Sequence, residues 1–383
     1  MESFSADRLN NVKEYYFSRK LREVSSLINN GKPIINLGIG NPDLLPPETV
    51  VKSLKKCFIN PKHSQYQSYQ GIPELRQSIS KFYKNHYSVN LDYRNEILPL
   101  IGSKEGIFHI SMAFLNPGDK VLVPNPGYPT YKSVSNLIGA ETVEYKLEQN
   151  NNWQPNINEL NNINLNGVKL MWINYPNMPT GAHFQEDILK ELIEWGRKNK
   201  ILIINDNPYS FILTSSPKSI MSISGSEDAC LELNSLSKCF NMAGWRVGML
   251  VGASDKIKSV ISVKTNIDSG MFYGIQKAAI SALEISNSWF EKLNYEYSLR
   301  KRLIFKLAKK MSLNYETNTS GLFIWAKIED SLINSEQFID EMLYNKHLFF
   351  APGNIFGSQG EGYIRISLCV NQNEIKTAIS RLN

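Results

Sequence analysis

The sequence has little cysteine and little histidine, and neither is arranged for a disulfide framework or a metal site. Four cysteines are spread over 383 residues without a Cys-x-x-Cys pair, which argues against a disulfide scaffold and a zinc ribbon. Five histidines form no pair four residues apart, so the sequence predicts no metal site.

Long apolar runs, blocks of like charge and flexible linkers are also missing. No apolar run approaches the about 18 residues of a membrane span, and the N-terminus lacks the apolar segment of a signal peptide. The net charge is only +6, and no five like charges stand together, so nothing indicates a nucleic-acid or membrane partner. We therefore expect a cytoplasmic protein with reduced thiols.

The middle of the chain alternates short apolar runs with amphipathic stretches, which predicts an α/β domain. Several runs are nearly continuous in Val, Ile and Leu, as in strands that are buried on both faces of a mostly parallel sheet. The predicted strands are 95–100, 120–124, 141–145, 168–174, 201–206, 230–234 and 247–251. The predicted helices are 72–87, 104–115, 185–199 and 253–264.

The last third of the chain predicts a smaller α+β unit. A long helical segment runs from about 272 to 311, where glycine and proline are nearly absent. Strands at 321–328, 348–351 and 362–368 and helices at 335–346 and 373–381 follow. The first 35 or so residues are predicted to be helical and to pack on this unit.

The strongest chemical signal is the sequence SLSK at 235–238, directly after a predicted strand. Ser235 and Ser237 stand just before Lys238, and Arg246 follows eight residues after the lysine. An amine can form a Schiff base with an aldehyde, and hydroxyl and guanidinium groups beside it can hold a phosphate. The set indicates a phosphate-bearing aldehyde, although SLSK followed by an arginine alone also fits a surface loop.

Two further motifs stand at predicted strand ends. Strand 201–206 ends in Asp206, with Tyr209 three residues on; ligands bind at such ends of α/β sheets, and a capping aspartate is the alternative. In LIGSKEG (100–106) a strand, Gly102 and a helix start at Ser103 and Lys104 follow one another. A helix start of this kind binds anions, and an ordinary N-cap by Ser103 is the alternative.

The last two motifs are a turn and a buried arginine. Residues 174–181, which include Met178, follow a strand and read by themselves as a Pro/Gly turn. Arg365 stands inside an apolar strand, where it needs a partner, either an acid of the protein or a ligand carboxylate.

In this order and spacing the motifs resemble those of class I and II aminotransferases, fold-type I enzymes that depend on pyridoxal 5′-phosphate (PLP). The resemblance runs from Gly40 to Arg365. It implies an α/β fold with a large PLP-binding domain over 46–285, whose mostly parallel sheet is flanked by helices, and a small α+β domain from 1–45 and 286–383. The stretches most similar to LL-diaminopimelate aminotransferases are LIGSKEG (100–106), NPGYPTY (125–131), INYPNMPTGA (173–182), SLSKCFNMAGWRVG (235–248) and TNIDSGMFYGIQ (265–276).

The resemblance implies a cofactor role for each matching residue. Lys238 matches the lysine that forms the Schiff base and then moves the Cα proton. Asp206 matches the acid that pairs with the pyridine nitrogen, and Tyr209 matches the phenol that donates to the ring O3′. Tyr128 matches the aromatic residue that stacks on the ring. The implied phosphate contacts are Ser103, Lys104, Ser235, Ser237, Arg246 and, from the neighbouring subunit of a homodimer, Tyr66.

On the substrate side, Arg365 matches the arginine that clamps the α-carboxylate, and Gly40 matches the position that closes over it. Tyr15 matches a substrate-facing tyrosine of the diaminopimelate group, although Tyr16 is an adjacent alternative and simple packing is another. Tyr128 would also line the pocket for the substrate side chain.

One position departs from the family pattern, which has Asn-Pro-Thr-Gly where this chain has Met178-Pro-Thr-Gly. Methionine donates no hydrogen bond, so one donor to O3′ and to the substrate carboxylate is missing. Either Tyr209 holds O3′ alone, with Met178 as an apolar neighbour in the site, or the turn shifts and Asn177 reaches in. We favour Met178 in the site, because adjacent side chains usually point in different directions.

The resemblance implies ping-pong amino transfer between an L-amino acid, with LL-diaminopimelate among the candidates, and a 2-oxo acid such as 2-oxoglutarate or pyruvate. An aspartate, alanine or aromatic aminotransferase and a PLP-dependent β-lyase are the alternatives on the same fold. A PLP-sensing regulator is disfavoured because the residues before LGIGNPD carry no DNA-binding module. A catalytically dead relative is disfavoured because Lys238, Asp206 and Arg365 are all present.

Overall fold

A seven-stranded sheet forms the centre of the computed structural model, which describes residues 4–9, 14, 16–330 and 332–382. The strands of the protein are β1 Ile35–Asn36, β2 Ile97–Leu100, β3 Lys120–Asn125, β4 Glu141–Lys146, β5 Val168–Ile173, β6 Leu202–Asp206, β7 Cys230–Ser235, β8 Gly248–Gly252, β9 Leu313–Tyr315, β10 Phe323–Ile328, β11 Leu348–Phe349, β12 Ala351–Pro352 and β13 Tyr363–Ser367.

Helices cover this sheet and the smaller sheets. They are α1 Tyr16–Asn29, α2 Glu48–Cys57, α3 Pro73–Tyr87, α4 Ser103–Phe114, α5 Pro129–Leu137, α6 Ile157–Asn161, α7 Glu186–Asn199, α8 Ser226–Ala229, α9 Leu236–Cys239, α10 Ser254–Lys264, α11 Tyr273–Leu283, α12 Ser288–Lys310, α13 Ser335–Lys346 and α14 Gln372–Ser380. Pro73 and Pro129 begin α3 and α5, a position where the missing N–H costs nothing.

The prediction of an α/β fold with a mostly parallel sheet is confirmed. The strand order is β2-β8-β7-β6-β5-β3-β4, and β3 to β7 pair in parallel, whereas β8 runs antiparallel to both of its neighbours. Strands β5 to β7 are almost completely buried, because helices cover both faces of the sheet and Val, Ile and Leu fill both sides. Their carboxyl ends therefore open at one edge, where α/β sheets bind ligands.

A second, antiparallel sheet has the order β12-β13-β10-β9. Strand β1 pairs in parallel with β11, so a segment near the start of the chain joins the C-terminal region. Loop contacts extend this junction, since Ser367 N donates to Leu37 O at 2.7 Å. Strand β13 carries Arg365, so the second sheet supplies one wall of the candidate site.

Two sequence predictions of helices were wrong in their extent. The continuous helix predicted over 272–311 is divided into α11 and α12, with an interruption at 284–287. This interruption contains Ser286 and Asn287, whose side chains compete with the helical backbone for hydrogen bonds. Helix α1 covers only Tyr16–Asn29 of the predicted helical N-terminus, and α2 and α5 were not predicted at all.

All four cysteines are buried free thiols. Within the described residues, no helix combines the length and the apolar character that a membrane crossing requires.

Candidate active site

A cavity of about 510 Å³ lies at the carboxyl ends of the central strands and against the second sheet. All of the predicted site residues except Tyr15 and Tyr66 line it. Tyr15 lies outside the described residues. Tyr66 is 91% exposed and does not line this cavity, so its predicted contact with a neighbouring subunit stays a prediction.

Lys238 lies on α9, the short helix that follows β7. Its Nζ donates a hydrogen bond to the backbone oxygen of Gly40 at 2.7 Å. Burial lowers the pKa of Lys238, and the guanidinium groups of Arg365 and Arg246 lower this pKa further. A larger fraction of the amine is therefore neutral at a given pH than for an ordinary lysine, as a nucleophile or base requires.

Asp206 ends β6 and is fully enclosed. Its Oδ2 accepts a hydrogen bond from the Tyr131 hydroxyl at 2.9 Å, whereas Oδ1 is buried without a hydrogen-bond partner among the described residues. Burial raises the pKa of Asp206 to about 7. An ionised carboxylate in this position needs a cation or a strong donor at Oδ1, since a buried unpaired charge is costly.

Tyr131 is a site residue that the sequence analysis missed. Its ring stacks on Trp172, with centroids 4.9 Å apart and planes 5° apart, and meets Tyr128 edge-on. Tyr128 begins the turn into α5 and Tyr131 lies three residues later, so both side chains project from one face of the helix start. This spacing within NPGYPTY is the signal that could have identified Tyr131.

Hydroxyls and a guanidinium converge around the start of α4. Gly102 has a φ of +88°, and a Cβ added to it would lie 2.2 Å from Arg246 Nη2. Only glycine therefore lets the turn approach the guanidinium so closely. Ser103 is the first residue of the helix and makes no capping hydrogen bond, so the alternative of an ordinary N-cap by Ser103 is not observed.

The remaining predicted phosphate contacts adjoin this turn. Ser235 Oγ accepts from Ser237 N at 3.1 Å and donates to Ser237 Oγ at 2.8 Å, so both hydroxyls lie together. Lys104 is exposed and lines the cavity near them. Backbone N–H groups at a helix start, two hydroxyls and a guanidinium form an anion-binding set.

Arg365 is buried among aromatic rings. Its guanidinium carbon lies 3.9 Å from the ring centre of Phe323 and 4.7 Å from that of Phe356. Nη2 donates to Gly38 O at 2.9 Å, and Nη1 contacts Met178 Sδ at 3.2 Å. The rings hold the guanidinium plane in one orientation, which suits bidentate binding of a carboxylate.

In the turn around Met178, the side chains of Asn177 and Met178 have different surroundings. Asn177 Oδ1 accepts from the Thr180 hydroxyl at 2.7 Å, and its Nδ2 donates to Asn174 O at 3.2 Å, so the Asn177 amide is used within the turn. Met178 lines the cavity, and so does Asn174, a second residue that the sequence analysis missed. Asn174 accepts from Met178 N at 2.8 Å and donates to Asp206 O at 2.5 Å.

Behind the turn at Gly102 lies a partly buried group of ionisable side chains. Glu105 accepts from Ile101 N at 2.6 Å and from His109 Nε2 at 2.8 Å. Asp268 contributes a third potential ligand within 4.8 Å, but the Lys264 ammonium lies 2.7 Å from both of its oxygens. Lysine therefore already supplies the positive charge that a metal would bring.

Comparisons with known proteins agree with this geometry. A sequence model described as aminotransferase class I and II matches residues 32–382. An LL-diaminopimelate aminotransferase of Halothermothrix orenii is 40% identical over 99% of this chain and 97% of that protein, and one of Aquifex aeolicus is 36% identical over 98% of both. The substrate-bound structure of BacF from Bacillus subtilis superposes with a TM-score of 0.95 at 32% identity, covering 99% and 97%.

Proposed function

The chain belongs to the class I and II aminotransferases, and from that premise we propose that its amino donor is LL-diaminopimelate. The enzyme is a transaminase that uses PLP and exchanges an amino group between a small amino acid and a 2-oxo acid. The observation that carries the choice of donor is the similarity, over nearly the whole chain, to relatives named LL-diaminopimelate aminotransferase. We propose 2-oxoglutarate or pyruvate as the acceptor.

The residues of the cavity fit PLP. The buried Asp206 Oδ1 has no partner among the described residues, which is where a protonated ring nitrogen would supply the missing cation. The absent Cβ of Gly102 leaves Arg246 and the start of α4 open to a phosphate. When bound, the cofactor supplies an electron sink for the carbanion that forms at Cα.

Three side chains would carry the proton chemistry. Burial lowers the pKa of Lys238. As a neutral amine, Lys238 would take the proton from the substrate Cα and would then deliver it to C4′ of the cofactor. The negative charge of Asp206 would favour a proton on the ring nitrogen. Burial raises the pKa of Tyr209, so its phenol stays protonated and remains a donor toward the ring hydroxyl.

Arg365 would bind the substrate α-carboxylate. Its guanidinium is fixed by Phe323 and Phe356 and by the hydrogen bond to Gly38 O. Gly40 borders the same space, and a Cβ there would lie 2.1 Å from Phe323 Cζ, so only glycine keeps the backbone this close to the ring. This clamp serves any amino acid, so the side-chain end of the substrate must decide the donor.

A donor–acceptor matrix tests the proposed donor. LL-Diaminopimelate, aspartate, alanine, aromatic amino acids and methionine are each assayed against 2-oxoglutarate and pyruvate. We expect the highest kcat/KM with LL-diaminopimelate. An inert LL-diaminopimelate beside a fast aspartate would reject the proposed donor. Pyruvate and ammonia released from cystathionine would favour the β-lyase alternative.

Replacing Tyr131 by phenylalanine is predicted to weaken cofactor binding and catalysis. The change removes the hydrogen bond to Asp206, and hydrogen bonds to charged groups contribute about 1.5–3 kcal/mol. We expect the PLP dissociation constant to rise and kcat to fall, each about 10-fold. The matched control is Tyr145→Phe, which removes another buried hydroxyl bond, to Trp172 O. Equal effects of both variants would contradict the prediction.

Replacing Met178 by asparagine is predicted to tighten amino-acid binding. The Met178 sulfur accepts only weakly from Arg365 and cannot donate a hydrogen bond to a carboxylate. An asparagine amide can accept from Arg365 and can also donate to the carboxylate. One added hydrogen bond is worth about 1 kcal/mol, so we expect a roughly fivefold lower dissociation constant in a spectral titration. Met178→Leu is the apolar control and should leave the affinity unchanged. Unaltered affinity in Met178→Asn would refute this role.

We also propose two domains and a homodimer with shared active sites. The central sheet lies within 46–285, and the β1–β11 pair supports a small domain from 1–45 and 286–383. Exposed apolar side chains at Phe58, Ile59 and Tyr66 support a subunit interface. Sedimentation equilibrium of the holoenzyme tests the dimer. The free thiols support a cytoplasmic location.

A further inference from the structure

A second polar cavity, of about 630 Å³, shares no lining residue with the cavity around Lys238. We call it the rear cavity. Its walls come from the segment 210–218, from α12, and from residues 176, 183–184 and 318–319. The lining residues are Pro176, His183, Phe184, Ser210, Leu213, Thr214, Ser215, Ser216, Lys218, Asn294, Ser298, Lys301, Asn318 and Thr319.

The charged residues that line the rear cavity are all of one sign. Its charged side chains are basic, hydroxyls are abundant, and no aspartate or glutamate is among the lining residues. Lys218 is paired with Glu186 at 2.9 Å at the exposed rim. The His183 ring is bonded on both sides, to Asn318 Oδ1 and to the Ser320 hydroxyl, so it contributes no free donor.

Lys301 is the unusual residue of the rear cavity. It is half-buried, and its ammonium donates to Thr319 O at 2.7 Å. Among the described residues no carboxylate lies within ion-pair distance of it, and burial lowers the pKa of Lys301 to about 8. An ammonium has three donors and is costly to bury without a counter-ion.

A second polar group with unused capacity lines the same cavity. Thr319 is only 7% exposed, and its Oγ1 has no hydrogen-bond partner among the described residues. Buried hydroxyls are normally paired, so an unpaired one indicates a missing partner. From these two groups we infer that the rear cavity binds a small oxyanion, a carboxylate or a tetrahedral sulfate- or phosphate-type ion, at Lys301 Nζ and Thr319 Oγ1.

The segment after Thr319 links this cavity to the active site. Ser320 N donates to Gly181 O at 2.9 Å, and Gly321 N donates to Ile212 O at 2.9 Å. A Cβ on Gly321 would lie 3.7 Å from the Tyr209 ring. Through its bond to Thr319 O, Lys301 therefore contacts the segment that borders Tyr209 and the turn of Met178.

The test titrates sodium sulfate into the PLP-loaded holoenzyme by calorimetry at constant ionic strength. The loaded cofactor occupies the phosphate-binding turn, and sulfate does not titrate near neutral pH. We expect saturable binding that falls at least 10-fold in Lys301→Met and severalfold in Thr319→Val but persists in Lys306→Met, an exposed lysine of the same helix. Sodium acetate, titrated in parallel, distinguishes a carboxylate site from a tetrahedral one, provided that only the heat lost in Lys301→Met is assigned to the rear cavity, because Arg365 also binds carboxylates.

A second measurement uses the wild-type enzyme and so does not depend on the folding of a variant. Acetylation of lysines by acetic anhydride is followed by mass spectrometry with and without sulfate. We expect sulfate to slow acetylation of Lys301 at least threefold and to leave Lys306 unchanged. Binding heats that do not saturate with sulfate, or equal protection of Lys301 and Lys306 from acetylation, would overturn the inference. This outcome does not depend on which amino acid proves to be the donor.

Discussion

Replacing Lys238 by alanine is expected to lower kcat/KM for transamination by about 10⁴-fold or more. A positioned general base contributes about 10²–10⁴-fold, and the same amine would also supply the covalent attachment of the cofactor. Among the described residues, Lys104 is the one other lysine that lines the cavity, and it is exposed. The measurement is steady-state kinetics with the best donor, together with borohydride reduction to locate the pyridoxyl group.

The control for this variant is Lys20→Ala. Lys20 is also buried, but it pairs with Asp340 at 2.6 Å and does not line the cavity. We expect Lys20→Ala to lose stability and to keep its kcat. A Lys238→Ala enzyme that retains activity within 10-fold, or a pyridoxyl group trapped on another lysine, would reject the assignment.

The pH dependence of the wild-type enzyme follows from the same environment. Burial lowers the pKa of Lys238, and the amine acts as a base only when it is neutral. The rate therefore rises with pH through this pKa, at a lower pH than for an ordinary lysine. The positive charges of Arg365 and Arg246 help to lower this pKa. In Arg365→Gln we therefore expect the rise of the rate with pH to occur at a higher pH.

The sequence predicted the parts of the site that local pattern determines. Asp206 and Lys238 could be found because each stands just after a buried apolar strand, where a parallel sheet opens to ligands. Gly102 could be found because a strand, a glycine and a helix start stand in sequence. These signals depend on a few neighbouring residues and on the period of a strand, so they can be recognised in a single sequence.

The parts that depend on contacts distant in sequence could not be predicted. Tyr131 lies 75 positions before Asp206 in the sequence. The residues around Tyr131 do not indicate which acid its hydroxyl will contact. The pairing of β1 with β11 and the division between α11 and α12 likewise depend on tertiary packing. The rear cavity could not be predicted for the same reason, since only the tertiary structure brings Lys301 and Thr319 together.

The second large effect is expected at Asp206. Replacing it by asparagine in the holoenzyme removes the charge that would hold a proton on the ring nitrogen. Removing one partner of a buried ion pair costs about 3–5 kcal/mol, which corresponds to a loss of roughly 10²–10⁴-fold. We expect kcat to fall by this factor while Asn125→Ala, a buried polar residue outside the cavity, stays within 10-fold of wild type.

The cofactor-free protein offers a test of Asp206 that does not depend on activity. Burial raises the pKa of Asp206 from the ordinary 3.8 to about 7, so the folded apoprotein binds this proton more tightly than the unfolded chain. The stabilisation is complete below pH 3.8 and is lost as the pH rises through about 7. Relative to Asp206→Asn, the free energy of unfolding of the apoprotein should therefore fall by about 4 kcal/mol over this range.

PLP should remove most of this pH dependence, because a protonated ring nitrogen at Oδ1 makes the ionised Asp206 favourable. Binding of PLP should accordingly stabilise the wild-type protein more at pH 8 than at pH 5, and this difference should be smaller in Asp206→Asn, where Lys238 still titrates but position 206 does not. Denaturant unfolding of the apo and loaded forms at both pH values measures this difference directly. A difference in the wild-type protein no larger than that in Asp206→Asn would mean that the ring nitrogen does not meet Asp206, and the assignment of this acid would then be wrong.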